Sequence, residues 1–178
     1  MEDEPKKRQD MIRQLRIQAY LDFGREFLRS GRYQQALAAF EEAVKIDGGL
    51  VRAHMGKSLA LTRLGRFDEA LAICTGIFDL EAHSPHAYSA QGVCYQAMGL
   101  VNEARNAFEK SVQFGPDLPG NYYNFACFWA AQREAGKCRQ ALEKALALDP
   151  KMNALAATDV DFKHFRQEPW FQELVAFK

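Results

Sequence analysis

Residues 20–40 read YLDFGREFLRSGRYQQALAAF, and this stretch decides the fold. Tyr20, Phe23, Gly24 and Phe27 fall at i, i+3, i+4 and i+7, which is one face of a helix. Arg29-Ser30-Gly31-Arg32 breaks that helix, and Gly31 suits the left-handed backbone that ends it. A second amphipathic run starts near Tyr33 and turns Ala36, Leu37, Phe40, Ala43 and Val44 inward until Asp47-Gly48-Gly49 stops it. Small residues where the two helices cross let the backbones approach, and large ones fill the space beside them. The reading is an antiparallel helical hairpin.

Working outward, the pattern returns every 34 residues. Gly31, Gly65 and Gly99 keep that spacing, and so do Ala36, Ala70, Ala104 and Cys138. Gly24, Ser58, Gly92 and Ala126 are all small, whereas Phe27, Leu61, Tyr95 and Trp129 are all large. Phe40, Cys74, Phe108 and Leu142 follow in phase. Four units result, 17–50, 51–84, 85–118 and 119–152. A charged segment, 1–16, prolongs the first helix backward from Pro5, and a tail, 153–178, follows the last unit.

The chain thereby resembles the tetratricopeptide repeat (TPR) family, with its signature W-x2-L-G-x2-Y, A-x3-F and P over 34 residues. The first unit has Tyr20-x2-Phe23-Gly24-x2-Phe27 and Ala36-x3-Phe40; the third has Tyr88, Gly92, Tyr95, Ala104, Phe108 and Pro116. In the fourth stand Tyr122-x2-Phe125-Ala126-x2-Trp129, Cys138, Leu142 and Pro150. The second is degenerate, with His54, Lys57 and Ser58 at the signature positions. The fourth has Arg133 where the turn glycine belongs, and Gly136 three residues on suggests a displaced turn. The resemblance implies an all-α fold, a right-handed superhelical solenoid of four helix-turn-helix hairpins closed by a C-terminal capping helix. In the tail, Phe162, Phe165, Phe171 and Leu174 are expected to cover the last hairpin, with Trp170 or Phe177 as the alternative, exposed anchors.

Composition bounds the function. The 178 residues carry 23 Lys plus Arg against 23 Asp plus Glu, so the basic excess of a dedicated nucleic-acid binder is missing. No apolar run approaches the roughly 20 residues that cross a bilayer, and Met1–Asp10 is polar after Met1, unlike a signal core. Cys74, Cys94, Cys127 and Cys138 sit in apolar helical stretches without a CxxC pair, which reads as reduced, buried thiols in a cytoplasmic protein. His83 and His86 straddle a turn ending at Ser84-Pro85, with no Cys or carboxylate set to complete a metal site. No phosphate loop, nucleophile elbow or HExxH occurs, so no enzyme, cofactor or metal is expected.

Surface for binding remains. In the TPR family the first helices of successive hairpins line a concave groove for peptides. In this register the groove residues are Leu21, Arg25 and Arg29 from the first unit, and Arg52, Met55, Leu59 and Arg63 from the second. Val93 comes from the third, and Tyr123, Asn124 and Cys127 from the fourth. Four arginines against Asp22 make the first half +3, and the second half is apolar and uncharged. The expected partner is a protein or peptide with acidic residues beside an apolar anchor, since guanidinium groups fork onto carboxylates. Solubilising arginines paired with nearby acids are the alternative.

The carboxylate clamp of TPR co-chaperones, lysine, asparagine, asparagine, lysine and arginine, is absent. Leu21, Arg25, Gly56, His86 and Ala90 occupy its places, or Met55, Leu59, Ala90, Gly120 and Asn124 one repeat on. The expected function is a non-catalytic adaptor or chaperone-like interaction module. A self-assembling scaffold, in which a terminal helix docks on another copy, is the second reading.

Overall fold

The computed structural model describes residues 3–176. Among them are ten α-helices, one 3-10 turn and no strand. The chain divides into two compact units, Met1–Ala82 and His83–Lys178.

The first unit holds α1 (Asp3–Arg29), α2 (Tyr33–Ile46), α3 (Val51–Arg63) and α4 (Phe67–Leu80). α1 packs on α2, α2 on α3 and α3 on α4. Phe40 of α2 is the wedge between its neighbours. A Cβ built on Gly24 of α1 would stand 2.5 Å from the Phe40 ring, and one on Gly56 of α3 would stand closer still. Both helices can therefore approach α2 only because they present no side chain to that ring. The degenerate positions of α3 are satisfied in polar ways. The buried Ser58 hydroxyl donates to the Ala70 carbonyl at 3.2 Å, and the His54 ring bonds the Gly48 carbonyl at 2.8 Å. Lys57 reaches Glu41 at 3.9 Å. On α1, the overhanging Arg13 donates to the Ile46 carbonyl at 2.9 Å, capping the C-terminal end of α2.

The second unit holds α5 (Pro85–Ala97), α6 (Val101–Phe114), α7 (Pro119–Ala131) and α8 (Ala135–Leu148). After these come α9 (Met152–Thr158), a 3-10 turn (Val160–Phe162) and α10 (Pro169–Val175). Pro85, Pro119 and Pro169 each open a helix, where a missing N–H costs nothing. Ser111 donates to the Pro85 carbonyl at 3.0 Å, and Asn121 donates to the Ser111 carbonyl at 3.2 Å, tying α6 to its two neighbours. The core is aromatic: Phe108, Phe128, Phe162 and Phe171 are fully buried, and Phe165 nearly so. Leu174 and Trp170 are half-buried against it. The tail therefore does cap the last hairpin, with Trp170 turned partly inward; Phe177 lies outside the described residues.

The helix-ending turns obey one geometry. Gly31, Gly65 and Gly99 have φ of 72°, 74° and 77°, and the next residue donates back across the turn. Those bonds are Arg32 to Phe27, Arg66 to Leu61 and Leu100 to Tyr95, at 2.8–2.9 Å. The fourth turn is not displaced toward Gly136, contrary to expectation. Arg133 itself takes φ 59°, and Glu134 donates to the Trp129 carbonyl at 3.0 Å. Burial of the hairpin core holds the register against the penalty of roughly 1–2 kcal/mol that a side chain incurs there.

Candidate functional site

In the first unit the predicted lining comes from α1 and α3. Leu21 is buried at 2% exposure, so it belongs to the packing between helices. Arg25 is ion-paired to Asp22 one turn earlier on the same helix. The side-chain amide of Gln18 also donates to both Asp22 oxygens at 3.1 Å. The Arg25 guanidinium first, and Gln18 second, hold the Asp22 carboxyl below its ordinary pKa. Arg29 lies 3.5 Å from Glu26, again at i, i+3. These two arginines are thus engaged along α1 itself.

The α3 residues are arranged differently. Arg52, Met55, Leu59 and Arg63 fall at i, i+3, i+7 and i+11, a single stripe. Met55 and Leu59 are half-buried, and both arginines are exposed. Neither arginine has a carboxylate partner among the described residues. Eleven residues of helix separate them by about 16 Å.

In the second unit Val93 of α5 is half-buried. The α7 residues are already engaged. Asn124 donates to the Ser89 hydroxyl of α5 at 2.9 Å. The Tyr123 hydroxyl donates to Asp159 at 2.9 Å, and its ring meets Phe162 edge-on with centroids 5.6 Å apart. Burial, then the Cys127 thiol and Asp159, push the Tyr123 phenol far above its ordinary range.

The sulfur of Cys127 and carboxylate oxygens of Asp159 and Asp161 lie within 4.8 Å of one another. Burial first, then Asp161 and Asp159, raise that thiol well above its usual pKa, so it stands neutral. Asp159 also accepts the Asp161 N–H at 3.0 Å, so both its oxygens serve the fold. The tail segment Asp159-Val160-Asp161-Phe162 thus lies over Tyr123 and Cys127. Spacing within α7 could not reveal this, because the covering residues come from more than thirty positions later.

Among the described residues no two of the four cysteines are joined by a disulfide, and Cys74, Cys94 and Cys138 are buried. No helix among them is long and apolar enough to cross a membrane.

Comparison with known proteins gives the family. Two models described as tetratricopeptide repeat match residues 21–77 and 85–117, together just over half of the chain. The human peptidyl-prolyl cis-trans isomerase FKBP4 is 22% identical over 146 residues, which cover 74% of this chain and 30% of that protein. This chain therefore spans less than a third of that relative. Among solved structures, TTC0263, a thermophilic TPR protein of Thermus thermophilus, superposes with a TM-score of 0.66 at 19% identity. That match covers 89% of this chain and 87% of the other. The first TPR of Spaghetti (RPAP3), bound to the HSP90 peptide SRMEEVD, gives 0.51 at 21% identity, over 72% of this chain and 94% of that one. With its 34-residue hairpins, its glycine-ended turns and its capped last unit, the chain belongs to the tetratricopeptide repeat family.

Proposed function

We propose that this chain is a non-catalytic protein–protein interaction module, an adaptor or chaperone-like element that binds a peptide bearing carboxylates beside an apolar anchor. The observation that carries the reading is the α3 stripe, where two arginines without acidic partners among the described residues bracket the half-buried Met55 and Leu59. An apolar side chain seated between them removes surface from water, while flanking acids meet guanidinium forks. Arg25 and Arg29 contribute less, because Asp22 and Glu26 compete for them. The SRMEEVD peptide named with the Spaghetti structure combines three acids with Met and Val, the same chemistry on a related fold. A cytoplasmic setting with reduced thiols belongs to this reading.

Panning a random peptide library against the immobilised chain tests it. Enriched peptides carry Asp or Glu around an apolar residue and lose binding to the Arg52→Glu/Arg63→Glu variant. Enrichment that ignores this charge reversal overturns the α3 reading.

One observation favours self-assembly as a second reading. Met11, Ile12, Leu15 and Phe23 form an apolar stripe on α1, each about half exposed or more. A clean monomer by light scattering at high concentration excludes it.

A further inference from the structure

A second groove lies wholly within the second unit, and none of the predicted groove residues lines it. It encloses about 860 Å³ along α6, α7 and α8. Its floor is Tyr122, Phe125 and Trp129, at i, i+3 and i+7 of α7. Phe125 is half-buried and fixed from beneath, with ring centroids 5.9 Å from Phe108 and 5.2 Å from Trp129. The basic rim is Arg105 on α6 with Lys137 and Lys144 on α8. Lys137 stands 4.4 Å over the Trp129 ring and Lys144 5.9 Å over Tyr122. The acids there are Glu109 and Glu143; Glu143 is held by Arg139 at 2.7 Å and Lys137 lies 3.8 Å from Glu134, an exposed pair, so the lining itself sets three cations against two carboxylates. The rim is therefore net basic.

Tyr122, Phe125 and Trp129 hold signature positions, which Tyr20, Phe23 and Phe27 fill in the first unit, so it is the basic rim that sets this groove apart. Two repeats upstream, the positions of Tyr122, Phe125 and Trp129 are His54, Lys57 and Leu61. There Lys57 is spent on Glu41, and Leu37, Glu69 and Gly76 stand where the three rim cations are. One chain thus builds the same junction without aromatic floor or basic rim. Tyr122 and Phe125 are half-buried, while Trp129 is buried beneath Lys137, and rigid aromatic rings of this kind are what interface anchors are made of.

We propose that this α6–α8 groove docks an amphipathic helix of another protein, with apolar anchors spaced i, i+4, i+7 and carboxylates on its flanks. The lining recurs with helical period on all three walls over about two turns, which matches such a ligand in length and shape. Carboxylates meet Arg105, Lys137 and Lys144. A second copy fits less well. Its overhanging amphipathic helix, residues 3–16, carries five basic and three acidic residues, and so brings positive charge to a positive rim.

The test uses the whole chain and two synthetic helical peptides of about 15 residues, both with leucine anchors, one flanked by glutamates and one by lysines. Amide shifts and calorimetry report binding. The glutamate peptide is expected to perturb α6, α7 and α8 and to bind the Lys137→Glu/Lys144→Glu variant at least about fivefold more weakly. The two lysines are surface residues, so the variant keeps its fold, checked by circular dichroism. Equal binding of both peptides, shifts confined to α1 and α3, unchanged affinity in the variant, or no binding up to about 1 mM overturns the proposal. A wild-type dimer that dissociates in the variant assigns the groove to a second copy, and also overturns it.

Discussion

The Tyr123 hydroxyl of α7 donates a 2.9 Å hydrogen bond to the Asp159 carboxylate at the head of the closing 3-10 turn. Tyr123 is 6% exposed, so its partner cannot be replaced cheaply by water. Tyr123→Phe keeps the ring packing on Phe162 and is expected to lower stability by about 1–2 kcal/mol. Urea unfolding measures the loss. Limited proteolysis should then cut sooner within residues 153–176, because the tail is the element released.

The Phe40 wedge gives a second expectation. Alanine is a better helix former than glycine by about 1 kcal/mol, so Gly56→Ala at an open position would stabilise α3. Here the new methyl meets the Phe40 ring, and overpacking of that kind costs roughly 1–3 kcal/mol. The melting temperature should fall. Combining Gly56→Ala with Phe40→Leu should cost less than the two singles added together, and strict additivity in that cycle would remove the steric account.

Arg133 supplies a change of opposite sign. Its φ of 59° is one that glycine adopts freely, and the other three turns use glycine there. Arg133→Gly is expected to stabilise the chain by about 0.5–1 kcal/mol, the relief of left-handed strain less the added freedom of the unfolded backbone. Thermal unfolding of the single variant decides it; a lower midpoint refutes the strain.

Alkaline pH should unfold the protein earlier than surface charge alone predicts. Burial pushes the Cys138 thiol up to about 12, and Cys127 and Tyr123 are raised as well. All three are held neutral in the folded state above the pH where they ionise in the unfolded chain. Their contribution is thus complete below about pH 8.5 and falls as pH rises, first through the thiols and then, near pH 10, through the phenol. Denaturation midpoints followed from pH 7 to 11 should decline. Cys138→Ala, compared with wild type across that range, should flatten the first part of the decline.

Which parts are legible in the sequence follows from the range of the interactions. The hairpins are local, so Gly31, Gly65 and Gly99 with their in-phase alanines announce both helices and turns. At the fourth turn residue preference, glycine over arginine, points away from the register, and cooperative burial of the hairpin favours the register. At the candidate site, the engagement of Arg25 and Arg29 lies in i, i+3 spacings to Asp22 and Glu26, so it is readable in principle. The covering of Tyr123 and Cys127 is not. It depends on how a tail of short helices folds back, and no period in α7 encodes that.

The same tail bears on how many hairpins such a chain can carry. Asp159 and Phe162 grip α7, while α9 and α10 pack on α8, so the closing segment reads two helices of one particular hairpin together. A duplicated hairpin added after Asp149 would part that closure from the Tyr123 it is matched to, and would leave an aromatic core open. Lengthening therefore has an address. New copies fit upstream, as at the Asp47–Leu50 link, where an inserted hairpin would part the Phe40–Gly56 packing, which any in-phase repeat supplies again, and the bonds of His54 to Gly48 and Lys57 to Glu41. The C-terminal hairpin and its tail travel as one heritable block, and repeat number is free to change only ahead of it.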